Sequence, residues 1–156
     1  MVRRFGYTKT NNKYGAHKVV YRGIKFDSRY ERDRYIYLSH QQKVGKISGL
    51  RLQQGFVLIT QTTKLVQEQL KTKIRYKKVV VEQDAEYHCD FVYKENGRII
   101  CEEFKSEETS KLADYILRRK LMIKKIYAHN ERDGRTPWVF REFVYDWNGK
   151  TTITDK

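Results

Sequence analysis

Asp90, Glu103 and Lys105 stand in one stretch, Tyr87 to Lys105 (YHCDFVYKENGRIICEEFK), whose pattern brings them onto one surface. Two runs rich in β-branched and aromatic residues flank Asn96-Gly97, the dipeptide best suited to a two-residue type I′ turn, in which both central residues need φ > 0. If Glu95 then pairs with Arg98, Val92 faces Cys101 and Asp90 lies across from Glu103. Side chains alternate with period two. His88, Asp90, Cys101, Glu103 and Lys105 are therefore predicted on one face, and Tyr87, Cys89, Phe91, Ile100, Glu102 and Phe104 on the other. Two carboxylates directly opposite repel by a few tenths to about 1 kcal/mol. A hard divalent cation, Mg²⁺ above all, would relieve that with one or two carboxylates, waters and a substrate phosphate. Lys105 could polarise a water or hold the phosphate. The bland alternative is a solvated hairpin face on which Lys105 offsets the acids, and a bulge would separate them.

Other elements must place this face. Ser28 followed by Glu31 is the S-x-x-E capping box: Ser28 would accept from the Glu31 amide, and Glu31 would reach back to the amide of Ser28. The helix is predicted to run to about Val44, with Gly45 just past its end. Glu31, Tyr35 and Leu38 share one stripe, so Glu31 is either only a cap partner or an acid turned inward toward a site. Before this helix, residues 1–15 read as a flexible basic N-terminal arm, and HKVVYRGIKF as a short hairpin breaking at Arg22-Gly23. After it, Ile47 to Ile59 reads as a strand pair, or as one strand broken near Gly55. Within that stretch Gln53 is a supporting candidate that could orient a carboxylate or a water, or simply be exposed at a turn. Residues 60–73 are a polar connection and Ile74 to Val81 a strand.

Beyond the hairpin, Ser106 to Thr109 reads as a loop. Thr109 or Ser110 is then expected to cap a helix reaching about Tyr127, with Leu112, Ile116, Ile123 and Ile126 as its apolar stripe. Lys111, Arg118, Lys120 and Lys124 lie on the rest of its surface, together with Arg119 and Lys125 and opposed only by Asp114. That is either a solvated helix or a surface for phosphates. His129 to Thr136 reads as a loop and Trp138 to Trp147 as a last strand.

With 33 Lys+Arg against 19 Asp+Glu, the formal charge of +14 favours a polyanionic partner, nucleic acid before an anionic membrane surface. No apolar run approaches the roughly 20 residues of a spanning helix, so no membrane association is expected and the chain is expected in the cytoplasm. The 156 residues suffice for one domain, expected over residues 16–156. Cys89 and Cys101 are predicted on opposite hairpin faces, which argues against a disulfide, and nothing in their spacing suggests zinc.

The order of residues resembles the PD-(D/E)xK nuclease superfamily, whose motif is a helix Glu, an acid on one strand and (D/E)-x-K on the next. Glu31, Asp90 and Glu103-Phe104-Lys105 match those positions one by one. The segments FDSRYERDRYIYL, LRLQQGF, YHCDFVY, CEEFK and YILRRKLM are similar to a family of small phage proteins of that superfamily described as Holliday-junction resolvases. The resemblance covers about residues 13–127. No proline precedes Asp90, and the stretch from Thr60 to Lys78 is longer than that family has. The resemblance implies an α+β fold with a restriction-endonuclease-like core, a central mixed sheet with an antiparallel meander flanked by two main helices. It implies a Mg²⁺-dependent endonuclease, with Mn²⁺ as substitute, acting on four-way or branched DNA as a homodimer in the host cell. Asp90, Glu103 and the Phe104 carbonyl would hold the metal, Glu31 directly or through water, and Lys105 would position and deprotonate the attacking water. A nuclease for linear duplex or other branched DNA, and a non-catalytic basic binding module, are the alternatives.

Overall fold

The computed structural model describes residues 18–156; the basic arm at 1–15 lies outside them. In chain order the elements are β1 (Val19–Tyr21), β2 (Ile24–Phe26), α1 (Arg29–Lys43), β3 (Ile47–Ile59), β4 (Thr62–Gln69), β5 (Ile74–Glu82), β6 (Ala85–Glu95), β7 (Arg98–Ser106), α2 (Glu107–Ser110), α3 (Ala113–Arg132), β8 (Trp138–Tyr145) and β9 (Thr151–Asp155). None of the described helices is long and apolar enough to cross a membrane.

The class is α+β, built on a mixed sheet of order β3-β6-β7-β8-β9. Asn96 and Gly97 have φ of 48° and 77°, and Glu95 opposes Arg98, as the type I′ reading requires. From β7 the chain crosses through α2 and α3 to β8, the parallel partner of β7, while the other pairings are antiparallel. A parallel pair needs a crossover of that kind, and here it supplies one covering layer. Ile100 packs with Leu38 of α1, Ile47, Phe91 and Tyr93, whereas its neighbour Cys101 packs with Tyr115, Met122 and Ile126 of α3 and with Phe140. Adjacent strand residues point to opposite faces, so the two main helices cover opposite sides.

Alternation itself breaks at one place. Tyr87 and Cys89 belong to the cluster under α3, but Phe91 and Tyr93 to the one under α1, although all four are odd-numbered. The paired strand does the same, with Leu52 on the α1 side and Phe56 on the α3 side. Between them Gln53 has a φ of 49°. Leu52↔Phe91 and Gln54↔Cys89 keep one register, so no residue is inserted; a left-handed residue inverts the pleat across both strands at Gln53 and Asp90. This corrects the predicted faces: Tyr87 and Cys89 do not share a side with Phe91. Cys89 and Cys101 are consequently buried together, both as free thiols, and their mutual hydrogen bond together with burial pushes the Cys89 thiol up.

Other boundaries also differ from expectation. The stretch from Ile47 to Ile59 is one strand, with Gly55 inside the ladder opposite His88. The stretch expected as a polar connection contains β4, which pairs with β5, itself the strand expected from Ile74, as a separate ribbon. Ser106 rather than Thr109 or Ser110 is the cap, accepting from the Thr109 amide to close the single turn of α2. The long helix then starts at Ala113 without a side-chain cap and continues through His129 to Arg132. Its buried stripe is Tyr115, Met122 and Ile126, while Leu112 precedes it and is exposed. The final strand is followed by β9, with the Asn148-Gly149 turn between.

Candidate functional site

Where the pleat inverts, β6 and β7 part: their ladder runs from Glu95↔Arg98 to Phe91↔Glu102 and stops before Asp90. Instead of facing Glu103 across a regular ladder, Asp90 turns its side chain into the gap, and Oδ2 accepts from the Phe104 amide at 2.8 Å. Its Oδ1 accepts from the Gln53 amide nitrogen at 3.1 Å. The same nitrogen donates to Glu31 Oε1, also at 3.1 Å. One side-chain amide, held outward by left-handed backbone, therefore ties the α1 acid to the β6 acid.

Glu31 fulfils both readings given to it, one oxygen each. Ser28 accepts from its amide at 3.1 Å, as the capping box requires. The reach back falls one residue earlier than expected, Glu31 Oε2 accepting from the Asp27 amide at 2.9 Å, and this leaves Oε1 for Gln53. Burial first, then the charge of Asp90, pushes the Glu31 carboxyl up to about 7.

Glu102 and Glu103 divide between the faces. Glu102 is engaged under α1, taking both nitrogens of the Arg34 fork at 2.7 and 2.9 Å and the Tyr93 hydroxyl at 2.6 Å. Glu103 points to the α3 side, where Lys105 donates to its Oε1 and also to the Phe104 carbonyl at 3.1 Å. Glu103 Oε2 and the Tyr87 hydroxyl are the buried side-chain polar atoms without a partner among the described residues. Burial and Asp90 push Glu103 up to about 8, although Lys105 pulls it back. Burial pulls the Lys105 ammonium down, but Glu103 and Asp90 outweigh it and hold the group above the ordinary lysine value. Lys105 is thus held as an ammonium that donates hydrogen bonds, suited to holding an anion.

A cleft of about 410 Å³ opens over Glu31, Asp90, Phe104 and Lys105. Glu103 is not exposed to it but lies behind Lys105. Arg29, Tyr30, Tyr145 and Trp147 form part of its wall, with Tyr30 and Tyr145 stacked at 4.3 Å and Trp147 85% exposed. Sequence reasoning missed these four. In the sequence Trp147 and Tyr145 read only as strand residues, and their approach to α1 is tertiary. The basic residues expected to touch phosphate do not line this cleft. Lys111 lies between α2 and α3, paired with Glu107 at 2.6 Å, and Arg118 pairs with Asp114 at 3.0 Å. Lys120 and Lys124 are exposed, and at about 100° per residue they project away from the buried stripe of α3.

Among the described residues no group of three or more His, Cys, Asp or Glu side chains is gathered as a metal cage. The oxygens nevertheless suit a hard cation that keeps most of its waters. A carboxylate and a main-chain carbonyl already converge on one positive charge, the Lys105 ammonium. A second carboxylate stands close enough to raise the first, and one buried carboxylate oxygen has no partner among the described residues.

Residues 11–147 match the model of a family described as "Protein of unknown function (DUF1064)". No curated protein and no solved structure matches the chain.

Proposed function

The chain belongs to the DUF1064 family, and from that footing we propose that it is a Mg²⁺-dependent endonuclease that hydrolyses phosphodiester bonds in branched DNA. The observation that carries this is the Gln53 bridge. It joins Glu31 to Asp90 at the mouth of a cleft that also holds Phe104 and Lys105, with Glu103 directly behind. Those acids and that lysine are the ones matched to the superfamily motif, and a restriction-endonuclease-like core is part of the same proposal. The formal charge of +14 supports a polyanionic substrate.

Asp90, Glu103 and the Phe104 carbonyl would hold the cation, with Glu31 reaching it through a water. A bound cation supplies Lewis-acid neutralisation of the phosphate and a water of lowered pKa. The protein's own groups do the rest. Lys105, displaced from Glu103, would hold a phosphate oxygen or the attacking water. Gln53 fixes the two acids relative to each other, and Arg29 at the cleft wall offers a second charge to the backbone. For a two-fold symmetric four-way junction, paired nicks require two such clefts, hence a homodimer. A phage-type resolvase is the finer form of the proposal. The Glu103–Lys105 ion pair favours a second reading, a non-catalytic basic module in which the two charges simply neutralise each other.

The test is cleavage of a labelled four-way junction in Mg²⁺ and in excess chelator, with linear duplex as competitor. Cleavage should require the cation, and Asp90→Asn, Glu103→Gln and Lys105→Ala should each lower it at least about 10²-fold while junction binding persists. Chelator-insensitive nicking, or full activity of the Glu103→Gln protein, would refute the assignment.

A further inference from the structure

The ribbon of β4 and β5 takes no part in the cleft. Among the described residues its two strands pair only with each other, and every residue in them is exposed save Val79, which is half-buried. It prolongs β3 and β6: Val57↔Glu86 and Ile59↔Ala85 end the one ladder, and Thr62↔Glu82 and Thr63↔Val80 begin the next. Eight residues of β4, at about 3.3 Å each, carry it about 26 Å beyond the sheet. An element of that length that buries nothing is not retained for the core.

Between Thr62 and Glu82 it bears Lys64, Lys71, Lys73, Arg75, Lys77 and Lys78 against Glu68 and Glu82. Arg75 is bound to Glu68, which leaves the lysines. Register puts Leu65, Ile74, Tyr76, Lys78 and Val80 on one face, with Tyr76 and Leu65 each 67% exposed, while Lys64 and Lys77 lie on the other. Six cations against two acids leave each ribbon with a net positive charge, so bringing two copies together costs energy. A polyanion removes that cost, and a two-stranded ribbon has the width of a duplex groove.

We propose that this ribbon is a nucleic-acid grip that enters a duplex groove beside the cleft, with Lys78 on the Leu65–Tyr76 face and Lys64 and Lys77 on the opposite face reaching the phosphates of the two groove walls, and Lys71 and Lys73 at its tip. It rests on the nuclease reading for its purpose but not for its test. Glu82 precedes Asp90 by eight residues, about 27 Å of strand. With the ribbon's own length added, and about 3.4 Å per base pair, it would contact duplex about 8 to 16 base pairs from the cleft. A short duplex cannot fill both.

The experiment measures fluorescence anisotropy of labelled linear duplexes of about 10 and about 40 base pairs across a salt series in chelator, so cleavage plays no part. The full chain is compared with a variant carrying Lys64→Ala, Lys71→Ala, Lys77→Ala and Lys78→Ala. These sites are exposed, and an unchanged melting midpoint will show that the fold is kept. On the long duplex the variant should bind at least about tenfold more weakly, with a log–log salt slope shallower by about 3. On the short duplex the two should agree within about twofold. Equal affinity and slope on the long duplex would overturn the proposal. So would sedimentation showing that Leu65→Asp with Tyr76→Asp converts a dimer to a monomer while duplex binding is unchanged, since the ribbon would then be a contact between copies. Failure of the grip leaves the cleavage assay untouched, and an inactive cleft leaves the grip measurable.

Discussion

Gln53 is the residue on which the geometry turns, and its two properties can be separated by substitution. Its φ of 49° is adopted readily by glycine and tolerated by asparagine, but costs other residues on the order of 1 kcal/mol. Its side chain does something else, donating to Glu31 and Asp90 at once. Gln53→Gly should leave the melting midpoint nearly unchanged, because relief of backbone strain offsets lost side-chain bonds. Removing a residue that orients the ligands of a metal typically costs 10- to 100-fold in affinity or activity, and the Mg²⁺ needed for half-maximal cleavage should rise by about that factor. Gln53→Asn, one methylene shorter, should keep the backbone and reach only one acid. If both variants cleave at the wild-type Mg²⁺ concentration, the bridge has no role in positioning.

At the scale of elements, α3, β8 and the chain's end meet on Glu142. Burial raises its carboxyl, but bonds from Lys156, Tyr115 and Arg119 outweigh that and leave it below the ordinary value. Tyr115 donates at 2.6 Å and Arg119 at 2.7 Å. A depressed folded value means that the stabilisation is present above the unfolded value, about 4.5, and is lost as pH falls through the folded one. Glu142→Gln should therefore cost about 2 kcal/mol at pH 7 and flatten the acid limb of a melting-midpoint profile below about pH 4.5. A limb of unchanged steepness would place the acid sensitivity elsewhere. None of this cluster was legible in the sequence, because its members come from three elements that meet only in the fold. What could be read was local. The Asn96-Gly97 turn, the Ser28 cap and the Arg22-Gly23 break carry their own backbone chemistry and fall where expected. The pleat inversion at Gln53 could not be read, since alternation assumes that no side-chain-bearing residue adopts left-handed backbone. The strand β5 lies where expected, but β4, the first strand of the ribbon, and β9 escaped for another reason: strands exposed on both faces show no polar-apolar alternation. Asp90, Glu103 and Lys105 were brought together despite the failed face assignment because β7 kept its phase and Asp90 sits at the inversion itself.

For the molecule as a whole, the cleft is a place where folding works against like charge. Glu31, Asp90 and Glu103 come from an N-terminal helix turn and two strands, and each carboxyl is raised chiefly by burial, with Asp90 adding to the burden on both glutamates. Lys105 compensates only one pair directly. Groups retained at such a cost mark sites where stability is given up for function. In chelator, Asp90→Asn keeps the shape of the side chain and an acceptor oxygen for the Phe104 amide while removing the charge that raises its neighbours. The variant should melt higher than the wild type, by the equivalent of about 1 kcal/mol, or about 2 to 4 °C for a chain of this size. Mg²⁺ should reverse the order. A cation bound only by the folded wild type adds RT ln(1 + [L]/Kd), about 2.7 kcal/mol at 100 times Kd, and the variant should gain little of it. Calorimetric scans of both proteins with and without Mg²⁺ give four midpoints, and the proposed cation site requires that they cross. If Asp90→Asn is destabilising in chelator and both proteins respond equally to Mg²⁺, the three carboxyls form a structural cluster and the cation reading fails.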